Sequence, residues 1–201
     1  MLKRLFDICL SFIGLIGSSP LWVLFSLAIL LEDGLPIFYA QERVGKGGRI
    51  FRVIKFRSMI KDAEKDIGPV QATENDPRIT KIGRILRNTA MDELPQLINI
   101  LTGDMSFVGP RSLRPKEKEV YGNTEKTNIE DIPGYKERLD VRPGLTGIAQ
   151  IYLPTDALRK EKFQHDLEYI KKQSFLLDLK LITLSFWITF RGKWQTRQSK
   201  I

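Results

Sequence analysis

The sequence predicts an α-dominated α+β fold with a re-entrant N-terminal membrane helix, a small cytosolic body with short strands, and amphipathic helices at the membrane interface. Three observations predict it. Residues 8–31 contain no charged side chain. Residues 78–89 repeat apolar side chains at helical spacing. Residues 34–60 combine short β-branched and aromatic runs with a glycine-rich turn. We expect three parts: the membrane helix at 1–33, the body at 34–190 and a basic tail at 191–201.

Composition excludes several classes of protein. The 201 residues are 42% hydrophobic and 28% charged, which argues against a disordered chain or a many-pass membrane protein. A single cysteine and a single histidine exclude a disulfide framework and multi-cysteine or multi-histidine metal sites. The net charge of +8 predicts anionic partners: nucleic acid, anionic lipid or phosphorylated small molecules.

The N-terminal apolar segment has three interpretations. At about 1.5 Å per residue, a helix over 8–31 is long enough to cross a hydrocarbon core of ~30 Å. Lys3 and Arg4 before it also suit a signal peptide, but the apolar run continues for eleven residues beyond Pro20. The remaining alternatives are a kinked helix that crosses the membrane once and a re-entrant helix.

Charge favours the re-entrant helix. Lys3 and Arg4 place the N-terminus in the cytoplasm, and the basic body belongs on the same side. Ser19 and Pro20 offer a break at the middle of the run. Proline removes one helical hydrogen bond, and the serine hydroxyl can bond the carbonyl that this frees.

Basic residues are concentrated in the first part of the body. The 43–61 segment contains no acidic residue and seven cations: Arg43, Lys46, Arg49, Arg52, Lys55, Arg57 and Lys61. Another set recurs every three residues beside the apolar stripe of 78–89: Arg78, Lys81, Arg84 and Arg87. These cations are either a solvated or lipid-facing surface, or they bind phosphates.

Two adjacent carboxylates, Asp92 and Glu93, precede an apolar run, with Pro95 in the first turn of the helix that we expect there. Asp92 is either an N-cap for that helix or, with Glu93, part of a site for a divalent cation and a phosphate.

Two glycine-punctuated loops follow, at 103–111 and 142–147, and each places an arginine beside flexible backbone: Arg111 and Arg142. Each loop is either a phosphate contact or a plain turn. Between them, 114–140 is charged and is predicted to be an irregular loop. A helix is expected over 158–173, with His165 a weak ligand candidate. A second helix over 175–190 either lies in the membrane interface or belongs to the core.

Short motifs occur in a definite order. They are KFRSM at 55–59, DPRIT at 76–80 with Gly83 and Arg87, DELPQ at 92–96, GDMSFVGPR at 103–111 and RPGLTG at 142–147. Asp166, Tyr169, Ser174 and Asp178 complete the set. In this order, and over nearly the whole chain, they resemble the bacterial sugar transferase family, the monotopic phosphoglycosyl transferases. The resemblance supports the re-entrant helix broken at Ser19-Pro20.

The resemblance implies a reaction at the bacterial inner membrane, on its cytoplasmic face. A sugar 1-phosphate passes from a UDP-sugar to polyprenyl (undecaprenyl) phosphate through a covalent aspartyl phosphosugar, and UMP is released. This is a first membrane step of exopolysaccharide or lipopolysaccharide assembly. Asp92 is the expected nucleophile and Glu93 the orienting carboxylate, and either one is a ligand for the Mg²⁺ cofactor. The expected phosphate contacts are Lys55, Arg57, Arg87, Arg111 and Arg142.

The sequence departs from the family pattern in two places. Ser112 follows Arg111 where a proline is common, and 151–156 reads IYLPTD where many relatives carry an Asn-Gly-Arg type segment, a candidate sugar contact. Without a fused second enzyme in the sequence, we expect a minimal catalytic unit.

The expected partners are a UDP-sugar, polyprenyl phosphate and anionic head groups, with homo-oligomers left open and no nucleic acid. The alternatives are a non-catalytic membrane-tethered module that binds nucleic acid or anionic lipid, and an inactive scaffold subunit. Neither alternative explains the Asp92-Glu93 pair.

Overall fold

The computed structural model describes residues 2–63, 65, 76–121, 125–196 and 200. Seven helices in these residues are α1 (Leu2–Asp33), α2 (Lys81–Asn88), α3 (Gln96–Thr102), α4 (Tyr135–Arg138), α5 (Ile148–Tyr152), α6 (Arg159–Lys172) and α7 (Phe175–Phe190). The strands are β1 (Phe38–Val44), β2 (Ile50–Phe56), β3 (Ser106–Val108), β4 (Lys118–Tyr121), β5 (Glu125–Asn128) and β6 (Gly144–Thr146). This helix-rich arrangement confirms the α+β class.

Helix α1 has 32 residues and is long and apolar enough to cross a membrane. Large apolar side chains remain exposed along it, including Ile13, Ile16 and Val23. Pro20 lies inside the helix, and the Ser19 hydroxyl donates to the Ile16 carbonyl at 2.8 Å. Ile16 is four residues before Pro20, and proline has no N–H group to donate to the Ile16 carbonyl. The Ser19 hydroxyl therefore supplies the hydrogen bond that Pro20 cannot make.

The N-terminal end of α1 is attached to the body by charged side chains. The Lys3 ammonium donates to Asp178 at 2.5 Å and to the Tyr169 hydroxyl at 3.1 Å. Arg4 donates to the carbonyls of Ile100 and Leu101 at the end of α3. Because α3 presents the negative end of its dipole there, an arginine is a favourable partner.

The C-terminal end of α1 contacts the same body. The Glu32 carboxylate accepts hydrogen bonds from the Lys81 and Ile82 amides at 2.6 and 2.9 Å. It therefore caps α2 together with Thr80, whose hydroxyl accepts from the Gly83 amide. Both ends of α1 are thus fixed to the body by polar contacts.

Three two-stranded sheets contribute to the body. The antiparallel β1–β2 hairpin turns at residues 45–49, as the sequence predicted for 34–60. The two glycine-punctuated loops, 103–111 and 142–147, contact each other, because β3 of the first loop pairs in parallel with β6 of the second. A Cβ atom on Gly144 would lie 2.0 Å from the Gly109 amide nitrogen, so this pairing requires glycine.

The core lies between β2, α3, β3 and the last three helices. Its fully buried members include Val53, Ile100, Ile151, Tyr169 and Leu181. Helices α6 and α7 match the predicted ranges 158–173 and 175–190 closely, and α7 contributes Leu181, Ile182 and Ile188 to the core. Its Phe186, Trp187 and Phe190 remain exposed.

Two expectations need correction. The 114–140 segment was predicted to be irregular, but it contains the β4–β5 hairpin, a 3-10 turn at Ile129–Asp131 and α4, while 122–124 lie outside the described residues. Helix α2 begins at Lys81 rather than at 78, because Thr80 caps it and Ile79 pairs with Met59 in a β-bridge. Of the predicted tail, Arg197 lies outside the described residues.

A substitution at Gly83 tests how closely α2 packs. A Cβ atom there would lie 2.0 Å from the Ser58 carbonyl oxygen, so the backbones must move apart. We expect Gly83→Ala to lower the free energy of unfolding by about 3 kcal/mol or more. Circular dichroism melting of the detergent-solubilised chain measures this.

The control is Gly17→Ala, because a Cβ atom at Gly17 would meet nothing within 4 Å. It should melt at or above the wild-type temperature. A Gly83→Ala protein that melts with the wild type contradicts the close packing.

Candidate active site

Asp92 and Glu93 lie on a 3-10 turn, Met91–Glu93, between α2 and α3. Ala90 precedes the turn with φ +56°, and Pro95 is the residue immediately before α3. Both carboxylates are more than 90% buried. Neither helical segment has a side-chain capping hydrogen bond, so the N-cap interpretation of Asp92 is wrong.

The Glu93 carboxylate is held between two cations. Its Oε1 atom accepts from the Lys55 ammonium at 2.6 Å and from the Arg111 guanidinium at 2.7 Å. Lys55 comes from β2 and Arg111 from the loop after β3. Burial acts to raise the pKa of Glu93, but the charges and hydrogen bonds of Arg111 and Lys55 outweigh it, so the pKa lies well below its usual range.

The Asp92 carboxylate is in a different position. Among the described residues, no hydrogen bond or ion pair to it is found. Burial raises the pKa of Asp92 to about 6; the Lys55 ammonium opposes the shift and the Glu93 carboxylate adds to it. Arg87 and Arg111 also act on its charge. Glu93 is therefore engaged by fixed partners, whereas Asp92 is available to a ligand.

The other three predicted phosphate contacts have different surroundings. Arg87 lines the same cavity as the two carboxylates. Arg57 also lines it, but its guanidinium donates to the carbonyls of Asp33 and Gly34 and pairs with the Asp33 carboxylate at 3.1 Å, so it fixes the end of α1. Arg142 does not line the cavity; it donates to the Gly103 carbonyl at 2.8 Å.

A buried ion pair that the sequence did not single out supports Arg111. Arg138 of α4 donates to Asp166 of α6 at 2.7 Å and to the Arg111 carbonyl at 2.7 Å. Its guanidinium also lies 4.2 Å from the centre of the Phe163 ring. Asp166 belongs to the motif set, but Arg138 precedes it by 28 residues in the sequence. No local sequence pattern therefore predicts the pair.

Arg43 is a second residue whose place was not apparent. It was one of the seven cations in 43–61, and it lines the cavity. It donates to the Ser112 carbonyl at 3.2 Å and to the Gln41 side chain at 2.6 Å. Burial, followed by repulsion from Arg111 and Arg114, lowers the pKa of Arg43 to about 10.

A cavity of about 1060 Å³ connects the carboxylates with the apolar helices. One wall carries Asp92, Glu93, Lys55 and Arg111. Other parts of the lining come from α1, at Leu10, Gly14 and Leu21, and from α7, at Ile182 and Phe186. The cavity therefore has both a charged and an apolar lining. It can hold one ligand with both characters, or a polar and an apolar ligand side by side. In the described part of the chain, no group of three or more metal-ligating side chains is found.

A family model described as bacterial sugar transferase matches residues 1–192. The chain belongs to the bacterial sugar transferase family. The family resemblance in the motifs is thereby confirmed, and Asp92 and Glu93 lie within the matched range.

Relatives of this bacterial sugar transferase have informative names. The chain is 42% identical over 198 residues to a UDP-glucose:undecaprenyl-phosphate glucose-1-phosphate transferase of Escherichia coli K12, covering 96% of the chain and 41% of that protein. It is 38% identical over 184 residues to a UDP-N-acetylgalactosamine-undecaprenyl-phosphate N-acetylgalactosaminephosphotransferase of Aeromonas hydrophila, covering 90% and 42%. It is 40% identical over 189 residues to the exopolysaccharide production protein PSS of Rhizobium leguminosarum bv. phaseoli, covering 90% and 92%. The chain spans about two fifths of the length of the first two.

Removing one partner of the Arg138–Asp166 pair should be strongly destabilising. Arg138→Met leaves the Asp166 carboxylate buried without its partner and frees the Arg111 carbonyl. We expect a loss of about 3–5 kcal/mol in the free energy of unfolding, measured by chemical denaturation. Lys172→Met breaks the exposed Lys172–Glu168 pair and should have no measurable effect. Equal stability of both variants would contradict the role of the buried pair.

Proposed function

We propose that the protein transfers a sugar 1-phosphate from a UDP-sugar to polyprenyl phosphate and releases UMP. The observation that carries the proposal is one cavity that contains both the buried Asp92–Glu93 pair and surfaces of α1 and α7. A water-soluble nucleotide and a lipid phosphate can meet in such a cavity. The names of the relatives from Escherichia coli and Aeromonas hydrophila support the same reaction class.

In the proposed first step, an Asp92 carboxylate oxygen attacks the phosphorus that bears the sugar. The bond to the bridging oxygen breaks, and UMP leaves with both electrons of that bond. An acyl phosphate of the sugar remains on Asp92. Asp92 suits the role because its carboxylate has no fixed partner among the described residues, whereas Glu93 is engaged by Lys55 and Arg111.

In the second step, an oxygen of polyprenyl phosphate attacks the same phosphorus, and the Asp92 carboxylate leaves. Splitting the transfer in two avoids holding two anionic substrates together throughout. Lys55, Arg87 and Arg111 are the proposed phosphate contacts, since all three line the cavity and their charges act on Asp92. Arg57 and Arg142 are engaged with backbone carbonyls instead.

Mg²⁺ is the proposed cofactor. It commonly binds through one or two carboxylates together with substrate phosphates and water, rather than in a protein cage. Two adjacent carboxylates, of which Asp92 has no fixed partner in the described structure, fit that requirement. Asp92 or Glu93 would hold the ion, and it would supply charge cancellation on the diphosphate oxygens.

For the membrane arrangement we propose that α1 enters the bacterial inner membrane from the cytoplasmic face, bends at Ser19-Pro20 inside the helix, and returns to the same face. Two observations support this. Lys3 and Arg4 at one end and Glu32 at the other contact the same body. The middle of α1 exposes apolar side chains. A helix that crossed once would carry its ends to opposite faces.

The reaction predicts a specific loss in an Asp92→Asn variant. The amide cannot act as the nucleophile, so UMP release from UDP-glucose or UDP-N-acetylgalactosamine with polyprenyl phosphate should fall by at least about a thousandfold. The matched control is Asp140→Asn, which alters an exposed carboxylate and should retain wild-type turnover. An active Asp92→Asn enzyme would refute the assignment.

The membrane arrangement can be tested with single cysteines. Cys9 is the only cysteine, so Cys9→Ser gives a background without thiols. Leu2→Cys and Leu35→Cys then place thiols at positions that are 64% and 67% exposed at the two ends of α1. In sealed vesicles, a membrane-impermeant maleimide should label both from the face that also labels Asp140→Cys in the body. Labelling of the two ends from opposite faces would establish a single crossing.

A further inference from the structure

A second group of cations lines the same cavity. Lys162 of α6 donates to the Thr155 carbonyl at 2.7 Å. Lys200, which is 95% buried, donates to the Gln150 carbonyl at 2.8 Å, and its ammonium lies 5.6 Å from the centre of the Trp194 ring. These contacts place both ammonium groups near α5, the 153–158 segment and Trp194.

Among the residues that the structure describes, neither ammonium group is hydrogen-bonded to a carboxylate, although Glu119 and Asp156 act on the charge of Lys162. Each carries three donors and uses one of them on a backbone carbonyl, so further donors remain for a ligand. A buried cation without a counter-ion is unfavourable. Burial, with repulsion from neighbouring cations, lowers the pKa of Lys162 and of Lys200 to about 8.

Electrostatic repulsion relates these lysines to the carboxylate pair. The Arg111 guanidinium, which bonds Glu93 directly, acts on the charge of both Lys162 and Lys200. The two lysines also act on each other. The second group of cations is therefore within electrostatic range of the atoms that hold Glu93.

Charge balance at the carboxylate pair suggests a role for the second group of cations. Asp92 and Glu93 carry two negative charges, and Lys55 and Arg111 carry two positive ones, so these four groups sum to zero and Arg87 adds one positive charge. A diphosphate brings at least two more negative charges into the cavity. Lys162 and Lys200 add two further positive charges in that same cavity, neither of them hydrogen-bonded to a carboxylate in the described part of the chain.

We propose that Lys162 and Lys200 form a second anion subsite, which binds an oxyanion of the nucleotide-sugar donor other than the phosphate that Asp92 attacks. This rests on the proposed function. The oxyanion is either the phosphate that departs with the nucleoside or a carboxylate on the sugar. A carboxylate is planar and a phosphate is tetrahedral, and the oxygen atoms of both accept charge-assisted hydrogen bonds from ammonium groups.

The test measures binding without turnover. The affinity of UMP and of uridine is determined by calorimetry on the detergent-solubilised full chain carrying Asp92→Asn. Adding Lys162→Gln or Lys200→Gln should weaken UMP binding about tenfold or more, because each removes a charge-assisted hydrogen bond. Uridine, which lacks the phosphate, should bind all variants equally. Lys162→Arg keeps the charge and should retain most of the affinity.

The matched control is Lys160→Gln. Lys160 lies on the same helix, is exposed and does not line the cavity, so UMP affinity should not change. Melting temperatures of all variants identify a folding defect, and the separate Lys162 and Lys200 variants keep the test decisive if one of them unfolds.

The sources of the oxyanion are separated by KM values in the chain with native Asp92. A rise in KM for UDP-glucuronate alone, with UMP affinity unchanged, assigns the subsite to a sugar carboxylate. A fall in UMP affinity assigns it to the departing phosphate. Unchanged UMP affinity together with unchanged KM for UDP-glucose and UDP-glucuronate overturns the subsite. If UMP binding depends on the two lysines but the chain turns over no UDP-sugar, the result contradicts the proposed reaction and leaves the subsite standing.

Discussion

The Glu93 Oε1 atom, held between the Lys55 ammonium and the Arg111 guanidinium, is the interaction on which the site depends. It neutralises Glu93, so that a second buried carboxylate can lie beside it at an acceptable electrostatic cost. Asp92 is consequently the member of the pair that remains available. The two carboxylates thus differ in their surroundings: Glu93 is held by fixed partners, whereas Asp92 has none among the described residues.

That interaction requires precise backbone positions from distant parts of the chain. Lys55 comes from the β1–β2 hairpin, and Arg111 follows the β3 strand that pairs with β6 through the close approach of Gly109 and Gly144. Arg138, itself paired with Asp166, then donates to the Arg111 carbonyl. Because Arg57 and Glu32 attach the end of α1 to the same body, the apolar helix and the charged pair form one surface around the cavity.

Local signals predicted a large part of this structure. The pattern of apolar residues predicted α2, α6 and α7 within three residues, and the ordered motifs identified Asp92, Glu93, Lys55 and Arg111, which the structure brings together. Long-range pairing carries no local signal, so the β3–β6 contact and the Arg138–Asp166 pair were missed. An arginine proposed as a phosphate contact was also ambiguous: Arg57 and Arg142 donate to main-chain carbonyls, and the sequence alone does not distinguish such an arginine from one that binds a phosphate.

A covalent intermediate on Asp92 would change the intact mass of the protein. The purified chain is incubated with UDP-glucose or UDP-N-acetylgalactosamine and Mg²⁺ in the absence of lipid, and its mass is then measured. We expect the mass to increase by one sugar phosphate, carried on a peptide that contains Asp92, and the increase to disappear when polyprenyl phosphate is added. An unchanged mass in a preparation that releases UMP once the lipid acceptor is present would contradict the covalent intermediate and would indicate direct transfer between the two substrates.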